Sequence, residues 1–420
     1  MHQGGNGIAR PPNAQVEENN AYCPASPTNC GTTPSPSPAF IDAKVLQVGT
    51  ASICRTLHTI MAGTHYIPGS IIDARGVGLS SACPSNFSPW FDGTNYVNVP
   101  STILLPAGAI TISYPWILPN GTKLIGEGTS QDGSIQTTIQ AASGFSGSAM
   151  VQFGDSHCPT VCTGISIENL TLNADGLNIG GILNQNAQDL SYIDRVTILD
   201  IAGVGLSVAA GAEASGPYSN ITYTNSSAGG TCAKLSASGT RGIHGLTCIS
   251  TSHSTDAINL DSSNNTLEDI RILGFFNGVV IGANDPAQSD VLLNIYGDTA
   301  RYLSNPVNVI LISSANTVSD ISIMGVSNQD AGSGDTTIND TVTSTLLIDP
   351  SVALYVLGEA GSGGYSRFTT SKNAATWTSG VNAPSITCSS SIIGALYSDT
   401  SGGGLYVCTP SSGWQPIPHT

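Results

Sequence analysis

Charge is scarce in this chain, and positive charge is scarcest of all. Asp, Glu, Lys and Arg make up 10% of its 420 residues, against roughly 25% in an ordinary globular protein. Twelve cations face 28 acids, for a net charge of −16. So acidic a balance excludes nucleic acid and anionic membrane as electrostatic partners. It suits a polyanionic glycan only if calcium bridges the two. No run approaches the roughly 18 apolar residues that span a bilayer. Residues 1–45 hold no apolar stretch of the kind a secretion signal needs, so Met1 is read as replacing a removed leader. Past residue 65 there is almost no amphipathic helical pattern, which leaves strands and turns to build the fold.

What the chain has instead is glycine, 48 residues of it, with abundant Ser, Thr and Asn. That is the composition of many short strands joined by tight turns. Between Ile167 and Ile323 the strands recur at a near-constant pitch. Aligned on the residue before an apolar pair, the markers are Asn169, Arg195, Asn220, Gly245, Asp269, Asn294 and Asp320, spaced 26, 25, 25, 24, 25 and 26 residues. The pairs themselves alternate as half-buried strands do, for example Leu170/Leu172, Val196/Ile198, Ile270/Ile272 and Ile321/Ile323. Five of the seven markers are Asn or Asp, which tolerate left-handed backbone and so predict a recurring corner. A second strand follows in most coils, such as Gly181–Leu183 and Gly278–Ile281. Two or three strands per 25-residue turn describe a parallel β-helix, whose seven clear coils at ~4.8 Å each make roughly 30 Å.

Residues 1–45 are Pro- and Ser-rich and read as an extended tail. An N-terminal capping helix follows, with Thr50 as expected N-cap, Ile53, Leu57, Ile60 and Met61 on one face, and Gly63 as terminator. It would plug the apolar end of the first coil. The β-helix is assigned to 46–375. Residues 376–420 read as a C-terminal β-hairpin unit, with a turn over Ser398–Gly404. Ten cysteines fall in local couples, predicting Cys23–Cys30, Cys54–Cys83, Cys158–Cys162, Cys232–Cys248 and Cys388–Cys408 as disulfides and hence an extracellular, secreted protein.

Three segments carry a family resemblance: Ile71–Gly76 (IIDARG), Leu104–Gly108 (LLPAG) and Leu118–Gly128 (LPNGTKLIGEG). With the coils downstream, to about residue 350, the chain resembles the secreted right-handed β-helix proteins of the pectate-lyase superfamily, the rhamnogalacturonase- or epimerase-like group. The resemblance implies an all-β, right-handed parallel β-helix that hosts lyases, hydrolases, epimerases or inert adhesins. Ser254–Ile258 (STDAI) also resembles the N-T-D-G-I segment of polygalacturonases. That family's Asp-Asp pair and His-Gly have no counterpart here, so the carry-over reaches Asp256 only.

Ionisable residues are densest from Arg241 to Arg271. Glycoside hydrolysis needs two carboxyls roughly 5 to 9.5 Å apart, a spacing that neighbouring coils supply. Asp256 is the candidate acid or base, with Asp261 or Glu268 as its partner; Asp269 is read as a turn residue. Arg241, His244, His253, Arg271, Tyr296 and Arg301 are candidate polysaccharide-binding residues, and a β-eliminating lyase would draw its base and acid from the same set. Glu168 and Asp194, counterparts of Glu268 on other coils, read as a solvated edge. The outward column Thr171, Thr197, Thr222, Thr247, Arg271, Tyr296, Ser322 reads as a threonine ladder broken by a cation and a ring. No cofactor is required and no metal site is read; Asp330, Asp335, Asn339 and Asp340 could take calcium but lack the spacing of a known loop. Two readings therefore stand: a polysaccharide-active enzyme, hydrolase or lyase, and a non-catalytic binding or adhesive rod, monomeric or oligomeric through the C-terminal hairpin.

Overall fold

The computed structural model describes residues 38–64, 66–129, 136–154, 157–158, 160–227, 229–298, 308–313, 315–329, 336–340, 346–348, 377–380, 382, 384, 388, 396–399, 401, 404–409 and 412–417. Residues 1–37 of the expected tail, Cys23–Cys30, Arg301, Asp330 and Asp335 lie outside them, while the last residues assigned to the tail hold the strand Phe40–Asp42 and the start of the helix Ala43–Leu46. The chain is a right-handed parallel β-helix and divides into two compact units, Met1–Ser252 and His253–Thr420.

In the first unit, one ladder runs through Phe40–Asp42, Ile71–Asp73, Thr102–Leu104, Lys123–Ile125, Ser166–Asn173, Tyr192–Leu199 and Tyr218–Asn225, every pairing parallel. A second ladder joins Trp116–Leu118, Ala149–Phe153, Gly180–Asn184, Val204–Val208 and Thr231–Leu235. Leu170, Leu172, Val196, Ile198, Ile221, Tyr223, Leu246 and Cys248 stack inward at 0–1% exposure. Each such side chain contributes about 1.5–3 kcal/mol relative to leaving it in water. Gly126 permits the coils to close up, because a Cβ there would run into the Asn169 carbonyl.

The capping helix spans Ile53–Met61 and buries Ile53, Leu57, Ile60 and Met61. Its N-cap is Ser52, whose hydroxyl accepts from the Arg55 amide, in place of the expected Thr50. Ser52 sits at the last extended residue, where a hydroxyl can reach the free amides of the first turn. The helix closes at Ala62, with the Gly63 amide donating to the Ile60 carbonyl. A second helix, Ala43–Leu46, is too short to show as a periodic pattern.

In the second unit, Thr266–Ile281, Val291–Asp298 and Ile321–Gln329 form one parallel ladder, while Asn308–Ile312 and Thr336–Asp340 continue another. All seven marker residues have left-handed backbone, with φ from 52° at Arg195 to 70° at Gly245. Asp320 nevertheless belongs to a different column. Asn294 is flanked by the pairs Leu293↔Met324 and Ile295↔Val326, which sets Gly325 (φ 68°) opposite it. Tyr296 is therefore followed outward by Ser327, and Ser322 leaves the column. Asp320 continues a second left-handed corner, five residues upstream, shared with Asn264 and Ser289.

The C-terminal segment is a four-stranded sheet. Trp377–Gly380 pairs parallel with Leu396–Asp399, and the antiparallel strands Leu405–Thr409 and Gly413–Pro416 follow. Ser398 and Asp399, expected in the turn, end the strand instead, and the Asp399 carboxylate ties down the amides of Asn382 and Ser401. Four of the expected disulfides are present: Cys54–Cys83, Cys158–Cys162, Cys232–Cys248 and Cys388–Cys408.

Candidate functional site

Four ionisable side chains, Glu168, Tyr192, Asp194 and Arg195, meet on the outer face of the first unit. Glu168 and Asp194 occupy the same position on adjacent parallel strands, one residue before the corner. Because neighbouring strands lie ~4.8 Å apart, register alone brings the two carboxylates together. Arg195, the corner residue itself, reaches back between them. Its Nη2 lies 3.1 Å from Asp194 Oδ2 and 3.9 Å from Glu168 Oε2, and its Nε donates to Asn169 Oδ1 at 2.7 Å. The two carboxylate oxygens are thus at most about 7 Å apart, a limit that admits the roughly 5–5.5 Å separation of a retaining glycosidase.

Tyr192 precedes Asp194 by two residues, so it projects from the same face. Its hydroxyl donates to Glu168 Oε1 at 2.6 Å. Burial, then the Glu168 carboxylate it bonds, pushes that hydroxyl above its ordinary range and keeps the proton on Tyr192. Asn220, the next corner, donates to Asp194 Oδ1 at 2.8 Å. Side-chain exposures of 18% for Glu168, 24% for Asp194 and 55% for Arg195 leave the group open to a ligand.

Arg195 is the unusual member. A left-handed backbone suits Gly, Asn and Asp, and the other six markers are drawn from those three. A long cation there is held in a sparsely populated conformation, which is where strain accompanies function.

The residues read from sequence are dispersed. His244 continues the column of Glu168 and Asp194 through Ser219, two strands beyond Asp194. Its Nε2 lies 2.8 Å from the Arg241 carbonyl, and Arg241 is exposed. The other candidates fall in the second unit. Asp256 accepts at 2.8 Å from Asn277, which accepts from Asn308 at 2.9 Å, which accepts from Asn339 at 3.1 Å. Asp256 is therefore the carboxylate end of an asparagine ladder. Asp261 is 1% exposed and holds both the amide and the side chain of Asn284, at 2.9 and 2.6 Å. That geometry makes it a staple of the loop, out of reach of a polymer. Glu268 is half-buried opposite Leu293. Asp269 stands at a left-handed corner and accepts from Asn294. The Arg271 guanidinium lies 5.5 Å from the Tyr296 ring centre. His253 is on the strand Ile243–Leu260. No cluster of three or more His, Cys, Asp or Glu suited to a metal occurs among the described residues.

No family profile and no curated protein matches the sequence. Solved structures do align with it. ORF18 of Geobacillus virus E2 aligns at TM-score 0.45 and 10% identity, over 91% of this chain and 86% of that one. The enzymatically active domain of bacteriophage CBA120 tailspike protein 2 aligns at 0.40 and 15% identity, over 71% of this chain and 45% of that one. The A-module of the Azotobacter vinelandii mannuronan C-5 epimerase AlgE6 aligns at 0.31 and 15% identity, over 73% and 96%. Likenesses of this degree say nothing about chemistry, which rests on this chain's own side chains.

Proposed function

We propose that the chain is an extracellular polysaccharide-active protein that cleaves glycosidic bonds on the outer face of its first unit, with Glu168 and Asp194 as the carboxyl pair. The observation that carries the reading is the in-register pair bracketing Arg195. Two carboxyls at this separation can divide the work of protonating a leaving oxygen and attacking, or activating water at, the anomeric carbon. Asp194 takes two donors, Asn220 and Arg195, and is assigned as nucleophile or base. Glu168 is assigned as proton donor, a role it fills when it has taken up a proton; in the free site it stands as a carboxylate that accepts from the Tyr192 hydroxyl. Arg195 holds both carboxylates in place, and His244 and Arg241 extend the face for substrate hydroxyls. The disulfides fit the oxidising compartment in which an extracellular glycan would be met.

The experiment is a polysaccharide panel read by new reducing ends and by absorbance of unsaturated products, for the native chain, Glu168→Gln and Asp194→Asn. Each variant should lose about 10²–10⁴-fold in rate with its melting temperature little changed. An aryl glycoside with a good leaving group should rescue Glu168→Gln and leave Asp194→Asn inactive. Full activity in both variants would remove the site, whereas loss of activity in Asp256→Ala would move it to the second unit.

A further inference from the structure

We infer that the glycan taken by this site is uncharged, and that calcium has no part in holding it; the inference rests on the function proposed above. The face on which Glu168 and Asp194 lie is lined with acid. Following the register from strand to strand, their column reads Asp42, Asp73, Leu104, Ile125, Glu168, Asp194, Ser219, His244, so four of its eight positions are carboxylates. Two of the three arginines on this face are spent on those carboxylates, and the third, Arg241, is exposed beside His244 at the far end of the column. Arg75 grips Asp73 through Nε and Nη2 at 2.9 and 2.8 Å and lies 3.8 Å from Glu127. Arg195 is shared between Glu168 and Asp194, which leaves the triad one negative charge. Lys123, exposed on the strand beside Ser166, raises that local count to zero and no further.

A uronate polymer brings one carboxylate per sugar and needs an unspent cation, or a bridging metal, for each sugar it seats. Along the column it would meet carboxylates, apolar side chains or cations already engaged, leaving Lys123 and Arg241 alone to serve every sugar. Calcium is the usual remedy, since it takes several oxygens at 2.3–2.6 Å. Between Glu168 and Asp194 that place is filled by the Arg195 guanidinium. The net charge of −16 opposes approach of a polyanion as well. A neutral sugar meets none of these penalties. Its hydroxyls donate to the carboxylates and the Tyr192 oxygen and accept from the remaining N–H groups of Asn220 and Arg195, groups this face already presents.

The test takes the neutral polysaccharide that the native chain cleaves fastest and the same polymer oxidised at C6 to its uronate form. Both are assayed at low and high salt, with EDTA and with added calcium. The expected result is at least tenfold lower kcat/KM on the oxidised polymer, partly restored by salt. Turnover of the neutral polymer should be indifferent to salt, EDTA and calcium and fall about 10²–10⁴-fold in Glu168→Gln. Equal or faster cleavage of the oxidised polymer, or dependence on calcium, overturns the inference while leaving the site standing. Cleavage of neither class overturns the function proposed above and this inference with it. Undiminished cleavage in Glu168→Gln assigns the activity elsewhere and overturns both.

Discussion

Arg195 sets two opposing effects against each other at one position. Its left-handed backbone costs roughly 1–2 kcal/mol relative to glycine, while its ion pairs, at 55% exposure, return only about 0.2–1 kcal/mol. Arg195→Asn should therefore leave the denaturation midpoint unchanged or slightly raised. The same variant should cut glycan cleavage sharply, because two adjacent carboxylates lose the cation between them. Paired urea titrations and rates would show the split; parallel loss of stability and rate would mean that the residue is only structural. Asp290 poses the converse case in the second unit. It is wholly buried, one oxygen takes the Asn265 amide at 2.8 Å, and the other has no hydrogen-bond partner among the described residues. Burial, opposed by its bonds to Asn265, pushes its carboxyl up to about 7. The folded state thus keeps a proton that the unfolded chain releases from about pH 4 upward, so stability falls as pH rises from about 4 to about 7. Asp290→Asn should flatten that part of the curve in urea midpoints measured from pH 4 to 8; an unchanged slope would refute the assignment. Neither residue announces itself in the sequence. Glu168 and Asp194 were visible as members of one column, but the crowding of ionisable residues between Arg241 and Arg271 is crowding along the chain. Only strand register shows which side chains meet, and it takes Asp256 into an asparagine ladder and Asp261 into a loop.

At the scale of elements, the coils were legible because two physical demands coincide in each of them. A buried pair must alternate along the strand, and the residue before it must accept a left-handed corner, so Asn, Asp and Gly recur beside Leu, Ile and Val. The reading slipped where those demands were met twice. Asp320 also stands at a left-handed corner and is also followed by an alternating pair, Ile321 and Ile323, yet Gly325 occupies the marker column. That coil is 31 residues long rather than 25, and no local feature of the sequence reports the difference. The ladder Asp256–Asn277–Asn308–Asn339 gives an element-scale prediction. Asn277→Ala removes a donor and an acceptor in mid-ladder and should cost about 1–3 kcal/mol. Asn339→Ala, at the end, should cost less; equal losses in urea denaturation would show that the ladder is not a unit.

For the whole molecule, stability comes from stacking within each unit, reinforced by the disulfides. Cys232 and Cys248 are 16 residues apart, and opening a loop of that size restores about 3 kcal/mol of chain entropy to the unfolded state. The double variant Cys232→Ser, Cys248→Ser should unfold at visibly lower denaturant, and reductant should have no further effect through that pair. At the amino end, Leu57→Ala in the capping helix should cost about 2–5 kcal/mol. It should also promote association, since it loosens the cover over the first coil's apolar end; size-exclusion chromatography would register the change.

The corners carry one more consequence. Arg195 and Asn220 have nearly the same backbone, φ 52° and 54°, and Asp194 and Ser219 stand opposite one another on paired strands. The outer columns are therefore addresses of equivalent geometry, one strand apart, with the core beneath each already complete. Replacing Ser219 by Asp and Asn220 by Arg would write the same acid–cation pair one coil further along. On such a surface chemistry can be moved, doubled or erased two side chains at a time, with the buried stack unaltered.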